Sequence, residues 1–118
     1  MVRLLIPLLF SVLLLLVPCR VTAQVSGGTV SGSITDSSAA PLPNVRVSLT
    51  DLQTGLTRTV TTDAQGFYTV PNLPPDTYEM SASAPGFVTQ VRTGITVTVG
   101  AQLVLNVMMQ PGNPEQVV

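Results

Sequence analysis

From residue 30 to residue 109, apolar and polar side chains alternate in short runs. In the first run Val30, Gly32 and Ile34 fall on one face and hydroxyl side chains on the other. A period of two is typical of a strand with one buried face, and no run has the spacing of an amphipathic helix. The predicted strands are Val30–Thr35, Val45–Thr50, Leu56–Thr62, Phe67–Val70, Thr77–Ala84, Val88–Arg92, Ile95–Val99 and Leu103–Met109.

Glycine and proline separate these runs. The predicted loop is Asp36–Asn44, and the predicted turns are Gln53–Gly55, Gln65–Gly66, Pro71–Pro75, Pro85–Gly86, Thr93–Gly94 and Gly100–Ala101. Such clusters end strands because proline lacks an amide hydrogen and glycine readily adopts a positive φ. Seven or eight short strands with turns between them predict an all-β Greek-key β-sandwich, for which we expect seven strands.

A different pattern precedes the strands. Arg3 is followed by the uncharged run Leu4–Val17, and Val21–Ala23 has small or modest side chains at the usual cleavage positions. We predict that residues 1–23 are a cleavable secretory signal peptide, so the protein is exported to the periplasm, outer membrane or exterior. One alternative is a membrane anchor, which needs roughly 20 apolar residues. Another is a lipoprotein signal at Cys19, although a proline precedes that cysteine.

The rest of the chain is predicted to comprise a polar lead-in (24–29), the sandwich (30–109) and a linker or the start of a following domain (110–118). After cleavage it has no cysteine, so disulfides cannot supplement its core. It keeps three arginines and no lysine, which leaves no basic surface for nucleic acid. Without histidine, neither a Ser-His-Asp nor a Cys-His arrangement can form, and zinc lacks its usual ligands. We expect no catalytic residue, metal or cofactor.

Two groups of residues have the order and spacing of a known family. The first is Gly28, Val30, Gly32, Ile34, Asp36, Pro41, Leu42, Pro43, Val45 and Val47, and the second is Thr62, Asp63, Gly66, Phe67, Leu73, Pro74, Pro75, Tyr78, Gly86 and Phe87. Together they resemble the carboxypeptidase regulatory-like domain, a seven-stranded, transthyretin-like Greek-key sandwich among the carbohydrate-binding-like folds. The chain has Ala39 and Asp76 where this family usually has glycine. Because alanine tolerates a positive φ poorly, we expect a reshaped or looser turn at Ala39.

The resemblance implies a non-catalytic module. Bacterial domains of this kind often follow a signal peptide at the N-terminus of outer-membrane receptors that resemble TonB-dependent transporters, and residues 110–118 are similar to the passage into such a barrel. We therefore expect an exported interaction module attached to an outer-membrane barrel. One alternative is a stand-alone domain that binds carbohydrate or another surface polymer. Another is the accessory domain of an exported peptidase.

Several residues are candidates for a site or for a structural role. Asp36 and Asp63 end strands, so each could contact calcium or a ligand, but a carboxylate that accepts hydrogen bonds from turn amides is favoured. The residues predicted to shape turns are Gly66, Pro74, Pro75 and Gly86. Neither glycine lies between a strand and a helix, the context of a phosphate-binding loop.

The aromatic side chains and the sheet edges are the candidate binding surfaces. Phe67, Tyr78 and Phe87 could form a platform for sugar stacking, although Phe67 and Tyr78 are predicted to be core, with the tyrosine hydroxyl on a backbone group. Tyr68, on the face opposite Phe67, is predicted to be the exposed aromatic residue and ligand contact. Few charges protect the sheet edges, so we predict strand addition by a partner protein, or aggregation, there.

Overall fold

The computed structural model describes Pro18 and residues 27–118, so the predicted signal peptide lies outside the described residues except for Pro18. Within the described part there is no helix, and therefore none long and apolar enough to cross a membrane. The eight strands are β1 (Gly28–Thr35), β2 (Arg46–Asp51), β3 (Thr57–Thr61), β4 (Phe67–Leu73), β5 (Asp76–Ser83), β6 (Gln90–Val97), β7 (Gln102–Val104) and β8 (Val107–Met108).

The strands form two sheets that pack face to face. One sheet has the order β4-β1-β7, with β8 also paired to β1, and the other has the order β3-β2-β5-β6. The hairpins β2-β3 and β5-β6 and the connection from β7 to β8 stay within one sheet, whereas the other connections cross between the sheets. The first strand pairs in parallel with β7 and β8, while all other strand pairs are antiparallel. The predicted all-β sandwich is confirmed.

The core lies between the sheets because each strand directs every second side chain inward. In β5, for instance, Tyr78, Met80 and Ala82 are buried, and the residues between them are partly exposed. Full burial of a large apolar side chain contributes about 1.5–3 kcal/mol, and the core consists of many such side chains. They are Val30, Ile34, Val45, Val47, Leu49, Tyr68, Val70, Leu73, Tyr78, Met80, Ala82, Ile95, Val97, Val107 and Met109.

Strand β6 differs from its prediction. Thr93–Gly94 was expected to separate two strands, but β6 passes through it. Tyr78 pairs with Ile95 and Met80 pairs with Arg92, so the register shifts where the two residues between Arg92 and Ile95 oppose one residue of β5. This is a β-bulge. Gly94 has a φ of 72° there, and glycine adopts that conformation without a steric penalty. The bulge therefore absorbs the glycine without ending the strand.

The last predicted strand, Leu103–Met109, is instead divided into β7 and β8. At the break the Ser33 amide donates a hydrogen bond to the side-chain Oδ1 of Asn106 at 3.0 Å. The Leu105 carbonyl accepts a hydrogen bond from the Tyr68 hydroxyl at 2.6 Å. Side chains thus replace main-chain partners at this point of the ladder. Since β6 joins two predicted strands and this one divides, the described residues form eight strands, not the seven of the sandwich that the resemblance implied.

Candidate functional site

The structure reverses the predicted positions of the two neighbouring aromatic residues of β4. Tyr68, expected to be the exposed ligand contact, is only 3% exposed. Phe67, expected in the core, is 56% exposed. The alternation predicted for the strand is correct, but its inner and outer faces are exchanged. Both expectations are therefore wrong, and Phe67 is the aromatic residue that a ligand can reach.

The pairing of β4 with β1 explains this reversal. Tyr68 lies opposite Gly32, and Phe67 lies opposite Ser33. Gly32 is on the inward-facing side of β1 but has no side chain, so the Tyr68 ring can occupy the space beside it. There the Tyr68 hydroxyl reaches the Leu105 carbonyl. Burial raises the pKa of Tyr68 to about 12, against the opposing effect of the Arg92 charge.

The outward-facing residues of the same strands form the best candidate binding surface. A shallow depression of about 400 Å³ lies on the outer face of the β4-β1-β7 sheet. Its lining comprises Ser31, Gly32, Ser33, Phe67, Tyr68, Thr69, Val104 and Asn106. Val104, at 66% exposure, stands with Phe67 as an exposed apolar side chain among hydroxyl groups and an amide. We call this surface the outer-face depression.

Among the residues that the structure describes, no charged side chain lines the outer-face depression. Its polar groups are held by local hydrogen bonds, since the Ser33 hydroxyl donates to Asn106 Oδ1 at 3.2 Å. Arg92 reaches across from β6, and its guanidinium donates to the Asn106 carbonyl at 3.0 Å. Asn106 was not among the predicted site residues. Its polar side chain on the outward face of a strand was the available signal, but only the pairing with β1 places it beside Ser33.

Both predicted turn aspartates accept hydrogen bonds from their own loops. Asp36 Oδ1 accepts the Ser38 amide at 2.8 Å, the Ser38 hydroxyl at 2.6 Å and the Ala40 amide at 3.0 Å. The Ser38 side chain, followed by the Ala40 amide, holds the pKa of Asp36 below its usual value. Asp63 Oδ1 accepts the amides of Gln65 and Phe67, both at 2.9 Å. These contacts support the structural interpretation.

The Ala39 turn is not reshaped as expected. Ala39 has a φ of 67°, the left-handed conformation that glycine would adopt. Its amide donates to the Asp36 carbonyl at 3.1 Å, and the Asp36 amide donates to the Ala40 carbonyl at 2.9 Å. The loop's hydrogen bonds therefore hold alanine in a strained conformation.

The remaining predicted structural residues lie around these turns. Tyr78 is buried and its hydroxyl donates to the Pro74 carbonyl at 2.6 Å, so the expected backbone contact is confirmed. Gly66 is buried and has a φ of 77°, while Gly86 is exposed with a φ of 82°. Phe87 is partly buried and packs against the core. Pro75 is exposed. Phe67, Tyr78 and Phe87 therefore do not form one exposed platform.

One carboxylate that was not singled out is buried. Asp51, at the end of β2, is 2% exposed, and its Oδ1 accepts the amides of Gln53 at 2.8 Å and Thr54 at 3.2 Å. Burial acts to raise the pKa of Asp51, but the hydrogen bonds from these amides outweigh it and hold the pKa below its usual value. The buried Asp51 carboxylate thus stabilises the β2-β3 turn by accepting hydrogen bonds from the turn amides. Among the described residues, no group of three or more acidic, histidine or cysteine residues could hold a metal.

The sequence motifs and the strand order both agree with one known domain family. The profile of the carboxypeptidase regulatory-like domain matches residues 29–110, which is most of the chain. The chain belongs to this family. Its eight strands lie almost entirely within the matched residues. No curated protein matches the chain significantly in sequence.

Solved structures share the fold at low sequence identity. A cohesin–X-dockerin complex of Acetivibrio cellulolyticus is 23% identical, with a TM-score of 0.56, and the match covers 73% of this chain and 59% of that one. A Bacteroides uniformis protein described as a carbohydrate-binding protein is 15% identical, with a TM-score of 0.59 and coverage of 75% and 43%. Catechol 1,2-dioxygenase from Pseudomonas arvilla is 14% identical, with a TM-score of 0.59 and coverage of 81% and 56%.

These similarities concern the fold alone. The three proteins are described by different functions, so the sandwich by itself does not determine the activity of this chain. The match spans only about half of each of those chains. Function must therefore be argued from the surface of this domain.

Proposed function

We propose that this chain is an exported, non-catalytic binding module whose ligand surface is the outer-face depression. The observation that carries the proposal is the exposure of Phe67 beside a row of uncharged hydroxyl and amide groups. A binding surface of this kind combines apolar contact area with a few polar groups that orient the ligand. The chain has no histidine, and its single cysteine, Cys19, lies in the predicted signal peptide, so the common nucleophilic triads cannot form.

The chemistry of the depression favours a neutral carbohydrate chain. The C–H face of a sugar ring can pack on the exposed Phe67 ring, while Ser31, Thr69 and Asn106 offer donors and acceptors to its hydroxyl groups. A lining without charged side chains does not favour an anionic polymer. The similar fold of a protein described as carbohydrate-binding agrees with this choice of ligand class.

The cellular setting that we propose is the N-terminal extension of an outer-membrane transporter of the TonB-dependent kind. It rests on the predicted signal peptide, on the family of the domain and on the resemblance of residues 110–118 to the passage into a plug. In that position the module would present its outer face to a polymer or protein at the membrane.

The ligand proposal is tested by affinity electrophoresis in gels that contain neutral polysaccharides such as xylan, galactan or cellulose derivatives, followed by calorimetry with the matching oligosaccharides. Phe67→Ala should weaken binding by at least tenfold, because the stacking surface is lost. Leu52→Ala is the matched control, since Leu52 is similarly exposed, at 54%, but lies in the β2-β3 turn. Equal losses in both variants, or no binding at millimolar oligosaccharide, would contradict the proposal.

The setting is tested separately with an antibody against the domain on fractions of the source cells. A protein much larger than the 12.4 kDa chain in the outer-membrane fraction would support the transporter extension. A small protein in the periplasm or medium would instead favour a stand-alone binding domain, and a cytoplasmic protein would refute export.

A further inference from the structure

The segment 110–118 lies against the connection that precedes β6. The Val88 amide donates to the Gln110 carbonyl at 2.8 Å, and the Gly112 amide donates to the Gly86 carbonyl at 3.0 Å. Val88 is buried, and a side chain at Gly112 would come within 2.6 Å of its Cγ2. The segment is thus fixed closely enough to direct the residues that follow it along the sheet edge.

Its last three residues then pair in parallel with Thr89–Val91, where β6 begins. Thr89 lies opposite Val117 in parallel register. The Thr89 amide donates to the Gln116 carbonyl at 3.0 Å, and the Val118 amide donates to the Thr89 carbonyl at 3.0 Å. The Val91 amide donates to the Val118 carbonyl at 2.9 Å. The outer edge of β6 therefore accepts a strand with ladder hydrogen bonds.

This pairing is short enough to be exchanged. It has three main-chain hydrogen bonds, each of which changes an equilibrium constant by about fivefold on average. Ordering each residue of the segment opposes this gain by a similar amount. Every side chain of the pairing is uncharged, and two of the three residues that occupy the edge are valines, which favour strands. Beyond Val91, within the described residues, no main-chain group pairs with the outer edge of β6.

We propose that the sheet edge at Thr89–Val91, where β6 begins, is a docking site for an extended, uncharged, valine-rich segment of a partner protein, and that Gln116–Val118 occupies it in cis until displaced. The Thr93–Gly94 bulge limits the straight part of the edge, because bulges interrupt strand pairing. The site thus accepts a short parallel strand, which adds to the order β3-β2-β5-β6. It is separate from the outer-face depression, which lies on the other sheet.

The test uses a fluorescent peptide, QVVTVTV, which repeats Gln116–Val118 and continues with strand-forming residues. Its binding to the full chain is followed by anisotropy. Val118→Pro in the chain removes the amide that donates to Thr89, so the competing segment is weakened and the peptide should bind up to about fivefold more tightly. Val117→Pro is the matched control, because the Val117 amide makes no hydrogen bond in the described part of the chain, and it should change binding by less than twofold.

The difference between the two valine amides, of which only the second donates a hydrogen bond to the edge, is also tested in the peptide. N-methylation of the second valine removes the donor to Thr89 and should weaken binding about fivefold, whereas N-methylation of the first valine should change it by less than twofold. Equal effects of the two methyl groups would overturn the proposed register. Absence of binding at millimolar peptide would overturn the docking site, and dimerisation of Val118→Pro in sedimentation without peptide binding would assign the edge to a second copy.

Discussion

Replacement of Gly32 by alanine tests the packing of β1 against the segment between β7 and β8. Gly32 is in β1 opposite Tyr68, and a Cβ at this position would overlap the carbonyl oxygen of Leu105. That oxygen is a backbone atom, so it cannot move without moving the chain between β7 and β8. The same Cβ would lie 3.1 Å from the Tyr68 hydroxyl, so relief in that direction is also restricted.

The cost follows from the contacts that this movement breaks. They are the hydrogen bonds from the Leu105 amide to the Ser31 carbonyl, from the Tyr68 hydroxyl to the Leu105 carbonyl and from the Ser33 amide to Asn106 Oδ1. At about 1 kcal/mol each, their loss lowers the free energy of unfolding by about 3 kcal/mol. For a domain of this size that corresponds to a fall in Tm of roughly 12–24 °C.

Urea unfolding followed by far-ultraviolet circular dichroism measures this change. Ser31→Ala is the matched control, because it alters the neighbouring outward position without adding an atom, and it should stay within about 0.5 kcal/mol of the parent. A Gly32→Ala variant as stable as the parent would refute the argument.

A double-mutant cycle with Tyr68→Phe tests the mechanism more strictly. In the parent this change should cost about 1–2 kcal/mol, since it removes the hydroxyl and leaves the Leu105 carbonyl without its partner. In the Gly32→Ala background it should cost less than about 0.5 kcal/mol, because the carbonyl has already moved away. Additive effects would show that Gly32 and Tyr68 act through different contacts.

Three further predictions concern backbone strain and pH. Ala39→Gly should raise the free energy of unfolding by about 0.5–1 kcal/mol, since relief of the positive φ exceeds the added chain entropy; an unchanged thermal melt would show a loop without strain. Burial raises the pKa of Tyr68 to about 12 and, with the charges of Asp51 and Asp76, that of Tyr78. The folded chain should therefore form little tyrosinate near pH 10, and its free energy of unfolding should fall as the pH rises from 10 through the raised pKa values. Tyrosine ionisation near pH 10 in an ultraviolet titration of the folded chain would contradict this. The lowered pKa values of Asp36 and Asp51 should make stability fall as pH drops below the ordinary aspartate range, and Asp36→Asn should flatten part of that slope in acid melts.

The sequence by itself determined the strands and most of their turns. Alternation depends only on neighbouring residues, so it marks a strand wherever one face is buried. Gly66 has the positive φ that was expected of a turn glycine, and Asp63 closes the same turn through its carboxylate. The family of the domain was also readable from its motifs, because these are local glycine, proline and aromatic positions.

Only the tertiary structure decided which face of β4 is buried. Phe67 and Tyr68 are both aromatic, and alternation alone allows either of them to point inward. The register with β1 places Tyr68 opposite Gly32, where the missing side chain leaves room for the ring. The exposed aromatic residue of the candidate site was therefore assigned correctly only after the strands were paired.

Long-range pairing also decided the break between β7 and β8 and the added pairing at the edge of β6. Asn106 replaces a main-chain partner of Ser33, which is 73 positions away in the chain, and residues 116–118 pair with the edge of β6. Neither contact has a local pattern, because hydrogen bonds between distant segments depend on how the whole chain is arranged. Local alternation thus determined the strands, whereas the contacts between strands determined the surfaces on which binding is proposed.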